Sequence, residues 1–310
     1  MAANENPQIC VSTYVFINPK VILMKFFVVS VLFLGTILCV CTNTFAQYES
    51  FKHEGEFGVQ LGTAHYFGDL NPNSRLNRPK IAAGIFYRKM VNEYVAVRLS
   101  ANFAQLGYSD IYETKNEYRQ RRNLSFNTNI WELMLQGDFN FFKFNPTNPN
   151  ERFTPYLTFG VGVFGFNPYA YLGDKKYYLQ PLGTEGQGST AFPEIKPYST
   201  TAIAMPVGLG IKYSINEQFN INFEVAHRFT TTDYIDDVST TYAGAGAFPL
   251  AGGNRTPASF LQDRSYETGT IIGTQGFQRG FSRQKDQYIM AMVGITFNFS
   301  SYKCPTSTGN

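Results

Sequence analysis

Three histidines, His53, His65 and His227, carry all the imidazole chemistry available to 310 residues. No two have the spacing of a metal-binding pair, so a zinc site, which needs three or four ligands, is not expected. The densest acidic stretch is "TTTDYIDDVSTTYAG", Thr230 to Gly244, with Asp233, Asp236 and Asp237. Asp236 or Asp237 beside His227 could activate a water molecule by taking its proton. The three carboxylates could instead hold calcium, but the regular ligand spacing of a calcium loop is absent. The plainest reading is a polar base to a loop, and Asp263 further on reads as an ordinary loop carboxylate. "GTEGQGS", Gly183 to Ser189, is glycine-rich but has no strand-to-helix context, so it does not read as a phosphate loop. "GAGAFPLAGG", Gly244 to Gly253, reads as flexible loop. The expectation is a chain that is not an enzyme, with no catalytic residue, no cofactor, no metal and no small-molecule substrate. A formal net charge of +3 without a Lys/Arg block gives no nucleic-acid partner either.

The elements around these residues are strands. In "TPYLTFGVGVFGFNP", Thr154 to Pro168, Leu157, Phe159, Val161 and Val163 fall on one face, and Tyr156, Thr158, Gly160, Gly162 and Phe164 on the other. Period two is the signature of a β-strand. Eight such segments follow one another: 55–68, 79–90, 93–107, 126–142, 154–168, 199–213, 218–232 and 286–299. They exceed the 9–11 residues that a membrane strand needs. Their connections alternate in length. The short ones are Val91 to Asn92, Lys143 to Arg152 and Ser214 to Glu217; the long ones lie near 69–78, 108–125, 169–198 and 233–285. This sorting is that of an outer-membrane barrel with short periplasmic turns and long outer loops.

One face of these strands is uncharged: Phe57, Val59, Leu61, Ile85, Val97, Leu99, Trp131, Leu133, Leu135, Leu209, Phe223 and Val293 belong to it. The other carries Glu56, Arg88, Arg98, Glu132, Asp138, Lys212, Glu224 and Arg228, four acids and four bases. Lipid against the first face and a lumen filled by ion pairs behind the second would satisfy both, because an eight-stranded barrel is just wide enough for its own side chains. Arg88, Arg98, Asp138 and Glu224 lie near the turn ends of their strands and are expected to form one network. Periodicity alone also permits a soluble, lipocalin-type barrel turned inside out. Strand length, loop sorting and aromatic strand ends (Tyr66, Phe67, Tyr108, Phe141, Phe142, Tyr213, Phe219 and Phe299) favour the membrane. So does composition: aromatics make up 16% of the chain and charged residues only 16%, against about 25% in typical soluble domains.

The N-terminus supports export. "MKFFVVSVLFLGTILCVCTNTFAQ" from Met24 has a basic residue, an apolar run from Phe26 to Val40 and a small-x-small end at Ala46. Residues 1–46 are read as a signal peptide with the true start at Met24, 47–54 as a periplasmic segment, 55–300 as the transmembrane barrel and 301–310 as a periplasmic tail. Cleavage would leave Cys304 as the sole cysteine, with no partner for an internal disulfide.

"HYFGDLNP", "TPYLTFGVGVFGFNPYA", "YYLQPLGTEGQG", "MPVGLGIKY" and "TDYIDDVSTTYA" occur in this order, and together they resemble the PorG-like outer-membrane proteins of the type IX secretion system. "LQPLGTEGQG" and "TDYIDDVS" are the most specific pieces. The resemblance implies an eight-stranded, non-catalytic barrel in the outer membrane of gliding or protease-exporting bacteria, linked to a periplasmic ring of PorK- and PorN-like proteins. In that setting the turn "KFNPTNPNER", with Lys143, Asn145, Pro146, Asn148, Pro149 and Arg152, is the expected docking surface. The alternative is a general surface barrel that binds envelope or extracellular ligands through its long loops.

Overall fold

The computed structural model describes residues 53–248 and 250–300. The expected signal peptide, residues 47–52, Cys304 and the tail 301–310 lie outside the described residues.

Eight long strands form a closed antiparallel barrel: β1 (His53–Phe67), β2 (Lys80–Met90), β3 (Val95–Ser109), β4 (Ser125–Asn140), β5 (Phe153–Gly165), β8 (Thr201–Ser214), β9 (Phe219–Thr230) and β10 (Gln287–Ser300). Neighbours in the sheet run β3-β2-β1-β10-β9-β8-β5-β4, and the pairing of β3 with β4 closes the ring. A short hairpin, β6 (Tyr169–Leu172) and β7 (Lys175–Tyr178), extends the sheet beyond β4 through the pair Asn127–Tyr169. The eight-strand barrel and its up-and-down order agree with the sequence periodicity; the hairpin was not visible there.

The two tightest turns use the same device. In "VNEY" (91–94) Asn92 Oδ1 accepts from the N–H groups of Tyr94 and Val95, both at 2.8 Å. In "INEQ" (215–218) Asn216 Oδ1 accepts from Gln218 and Phe219 at 2.9 and 2.8 Å. A short side-chain amide that caps two backbone donors fixes the reversal and the register of both hairpins. The third turn is longer. It closes through Asn145 N–H on Glu151 C=O at 3.0 Å and folds Phe144 and Pro146 inward, out of solvent.

Alternation then sorts the side chains. Leu61, Trp131 and Leu209 point outward and are 67%, 68% and 61% exposed, and the same outward rows hold Val59, Ile85, Leu99, Leu133, Leu135, Phe159, Val163, Ile211, Phe223 and Val293. Along β4 and one residue beyond it, this apolar row runs ten residue steps, from Trp131 to Phe141. At about 3.4 Å per residue and a tilt of about 40°, it spans about 26 Å along the barrel axis, the height of a lipid-facing belt. Beyond Trp131 the same row turns polar with Asn129, Asn127 and Ser125. Phe141, Phe142, Tyr213, Phe219 and Phe299 are exposed at the turn end, as a girdle requires. Tyr66 and Tyr108 are corrections: they are 1% and 5% exposed and point inward, because their even positions share the parity of the lumen face.

Candidate functional site

The inward rows form two ionic clusters. Near the turn end, Arg88 donates from Nη1 to Glu56 at 2.5 Å and from Nε to Asp138 at 2.7 Å. Arg98 Nη1 lies 2.7 Å from Glu224, and its Nη2 lies 3.4 Å from Asp138. Lys212 Nζ donates to Glu56 at 3.3 Å, and Tyr156 donates its hydroxyl to Glu224 at 2.9 Å. Three acids therefore meet three bases, all at most 3% exposed. The four residues expected to form one network do so, together with Glu56 and Lys212. Glu132 and Arg228 are not part of it. They form a separate pair at 3.3 Å nearer the loops, where Glu132 also accepts from Tyr288 at 2.7 Å and Asn102 at 2.7 Å. Buried charges persist only when paired and hydrogen-bonded, and here neutrality holds cluster by cluster. Neutral side chains link the two clusters: Asn102 also donates to Ser100 Oγ at 3.5 Å, Ser100 donates to Gln136 at 2.9 Å, and Gln136 and Arg98 both donate to Thr158, at 3.1 and 2.9 Å, while Met134, Phe164, Met290 and Met292, at most 1% exposed, also face the interior. At the turn end Phe144, 0% exposed, sits with its ring 4.1 Å from Lys212 Nζ. The longest turn is thus partly a stopper for the barrel. Among its expected docking residues, Lys143 and Pro149 are exposed; Asn145, Asn148 and Arg152 are half-buried; and Pro146 is buried. Lys143 also lies 3.6 Å from Glu93 of the neighbouring turn.

At the other end the long loops fold into a cap. Its apolar part continues the barrel core through Leu70, Leu124, Ile235, Val238 and Leu261. Two short helices lie in it, α1 (Glu117–Arg122) and α2 (Pro257–Gln262). Arg122 grips Asp110 with two bonds of 2.7 and 2.8 Å and donates to the backbone of Arg279 at 2.6 Å, which ties the second long loop to the fourth.

The central latch joins the two most distinctive motifs of the sequence. Gly183 and Gly186, at φ +59° and +89°, wrap "GTEGQG" so that Glu185 points into the cap. Its carboxylate accepts from Ser239 N–H at 2.9 Å, from the Thr240 hydroxyl at 2.6 Å and from Arg279 Nη1 at 3.1 Å. Asp237 accepts from Tyr198 at 2.7 Å and from Thr184, and lies 3.7 Å from Arg279 Nη2. Asp236 accepts from the Tyr66 hydroxyl at 2.5 Å, which also reaches Asp286 at 3.0 Å; Asp233 accepts from Ser239 Oγ at 2.6 Å. Asp237 itself has φ +65°, a conformation that the surrounding bonds hold. Burial pushes Asp233 up to about 7 and Asp69 and Asp237 up to about 6. Asp236 and Asp286 are raised well above the usual carboxylate range by burial and by neighbouring carboxylates, Asp286 beside Asp236 and Asp233 beside Asp286.

This geometry does not support water activation. His227 lies on the outward face, its ring stacked on Phe67 at 5.9 Å and its Nε2 2.7 Å from Gln287 Oε1, whereas Asp236 and Asp237 are buried in the cap. The row parity of β9 separates them. Among the described residues no group of three or more His, Cys, Asp or Glu side chains is placed to hold a metal ion. The latch instead cross-links loops. Asp263 is likewise no ordinary loop carboxylate: it is 1% exposed and accepts from the N–H groups of Ser265 and Gly273, both at 2.9 Å. Glu185 and Arg279 are the residues that sequence reasoning missed. A lone acid flanked by glycines was the available signal.

Among solved structures, the chain is similar to a major outer membrane protein from Thermus thermophilus, at 12% identity and TM-score 0.38, covering 80% of this chain and 100% of that one. It is also similar to Neisserial surface protein A, at 9% and 0.37 over 79% and 97%, and to the outer membrane protein OprG from Pseudomonas aeruginosa, at 11% and 0.36 over 81% and 98%. The fold assignment rests on the closed hydrogen-bond ladder rather than on these likenesses. No protein of curated function matches the chain. One family does match, over residues 31–245, and the chain belongs to it: the family described as "Domain of unknown function (DUF6089)".

Proposed function

We propose that this chain is a non-catalytic outer-membrane barrel that acts as a scaffold and assembly component of the type IX secretion machinery, associating with periplasmic ring proteins of the PorK and PorN kind. One combination carries the reading: an uncharged outward belt encloses an interior filled by paired charges. A charge at the midplane of a lipid-facing row would cost about 2–4 kcal/mol. In water, by contrast, an apolar belt of this extent would be a liability. A filled interior leaves only the two rims for action. The resemblance of "LQPLGTEGQG" and "TDYIDDVS" to PorG-like proteins directs the choice among scaffold roles.

Deletion of the gene tests this. Export of proteins that bear a C-terminal sorting domain should fail, and the ring proteins should no longer be recovered with outer-membrane fractions. Normal export and normal ring recovery would remove the secretion role. The second reading, a surface barrel that binds envelope or extracellular ligands, would then stand. The latched cap favours it, because pre-ordered loops lose little entropy on binding.

A further inference from the structure

The Tyr66 hydroxyl stands between two carboxyl groups at the loop end of the barrel, 2.5 Å from Asp236 Oδ2 and 3.0 Å from Asp286 Oδ1. The three side chains come from different parts of the rim. Tyr66 lies at the loop end of β1, Asp286 directly precedes β10, and Asp236 belongs to the fourth long loop. Each is 1% exposed. The other two carboxyl oxygens take backbone donors of that loop: Ile235 N–H reaches Asp286 Oδ2 at 2.8 Å, and Val238 N–H reaches Asp236 Oδ1 at 2.9 Å. A Cβ at Gly68 would overlap both Asp286 Oδ1 and the Tyr66 hydroxyl, so the contact is closed on that side.

The hydrogens of this arrangement can be counted. A tyrosine hydroxyl carries one, and an ionised carboxylate carries none. Tyr66 therefore satisfies one of its two carboxyl neighbours, and the second contact is a bond only if that carboxyl brings a hydrogen of its own. The cations of the cap do not take its place. Arg122 is committed to Asp110, and Arg279 to Glu185 and Asp237. Lys285 is exposed, and its Nζ donates to the Ser282 carbonyl at 3.4 Å. The remaining titratable groups around the pair are the Asp69 and Asp233 carboxyls, Glu185 beyond them, and the Tyr198 hydroxyl on Asp237. Negative neighbours in a buried place disfavour ionisation of both members at once.

We propose that Asp236 and Asp286 share one proton across Tyr66, and that this proton is the catch that holds the fourth long loop on the barrel rim. Its loss as pH rises sets two buried carboxylates against each other and lifts the 235–238 segment. Ile235 and Val238, at most 1% exposed, pack with Leu70 and Leu261 in the apolar part of the cap, so release uncovers apolar surface at the loop end. The proposal stands on the cap geometry and is independent of the secretion reading.

The test measures hydrogen exchange at the Ile235 and Val238 amides in the full mature barrel, with the intrinsic pH dependence removed. A carboxyl that keeps its proton on closure stabilises the closed form at low pH and loses that contribution as pH rises; one such proton changes the closed-to-open ratio by up to about tenfold per pH unit. Between pH 5 and pH 7 the wild type should lose protection more steeply than Asp286→Asn or Asp236→Asn, by about one proton, because an amide supplies a fixed donor where the carboxyl needs a hydrogen. Equal slopes in the wild type and the asparagine variants overturn the proposal. Tyr66→Phe keeps the ring on Phe126, 4.7 Å away, but removes the hydroxyl. It should cost both amides about tenfold in protection at pH 5, the loss expected of one buried hydrogen bond, and unchanged protection there overturns the proposal even if neither asparagine variant folds. Each variant must first show the heat-modifiable gel migration of a folded barrel. Loss of wild-type protection on adding a chelator at constant pH would put a metal ion in the proton's place and overturn the proposal as well.

Discussion

Asp138 is the residue on which the lumen turns. It receives Arg88 Nε at 2.7 Å and lies within 3.4 Å of Arg98, so its removal leaves two buried guanidiniums short of a counter-charge. Breaking one partner of a buried pair typically costs about 3–5 kcal/mol. Asp138→Ala should therefore lower the temperature at which the barrel unfolds in a gel-shift assay clearly more than Asp174→Ala, whose carboxylate lies in the exposed turn between β6 and β7. Equal shifts would mean that the network does not hold the barrel together. Asp263 would be a poor control because it caps two backbone N–H groups inside the cap. Arg279→Ala should loosen the cap without moving the gel-shift midpoint as far, since Arg279 joins loops rather than strands. Protease cutting within 231–286 reads this directly, and uncut loops would argue against the latch.

At the scale of elements, the cap and the longest turn behave differently. The cap carries Asp69, Asp233 and Asp237, which titrate ordinarily near 3.8 and here near 6 to 7. A carboxyl raised on folding binds more protons in the folded state through the interval between its two pKa values. Stability of the closed cap therefore falls as pH rises from about 4 to about 7. Hydrogen exchange at the Ser239 and Thr240 amides, both held by Glu185, should be better protected at pH 5 than at pH 8 once the intrinsic pH dependence is removed; the reverse order would refute the assignment. Asp233→Asn should flatten the difference. The longest turn divides into a buried and an exposed part. Phe144 and Pro146 close the barrel, and Pro149 and Asn150 face outward. If the barrel associates with a periplasmic ring as proposed, replacing 147–150 by two glycines while keeping Phe144 should weaken recovery of the ring proteins with the barrel yet leave insertion intact. Unchanged recovery would move the docking surface elsewhere.

For the whole molecule, a filled interior predicts no passage. Arg88, Arg98, Arg228, Tyr156, Tyr288 and Lys212 are all at most 2% exposed inside the barrel, and Phe144 covers its turn end. Planar-bilayer recordings should show no large, stable conductance; a steady open channel would contradict the packing. Cargo of any export machine to which this barrel contributes must then pass beside it. The belt also predicts that the processed chain fractionates with membranes and needs detergent to leave them.

Much of this was written in strand parity. Alternation is local, so eight strands, the uncharged face, the ionic face and the turn-and-loop sorting could be read from neighbouring residues alone. Parity says on which side a residue lies but not which residue it meets. Asp138 of β4 reaches Arg88 of β2 across an intervening strand, while Glu132, six residues away on the same strand and face, pairs with Arg228 of β9. Closure of the sheet decides these partners, because the stagger of strands around a barrel brings together rows that the sequence holds far apart. The latch is the same lesson in the loops. Glu185 and Ser239 stand 54 residues apart, and only the folding of two loops over one rim makes a glycine-flanked acid the acceptor for the backbone beside "YIDD".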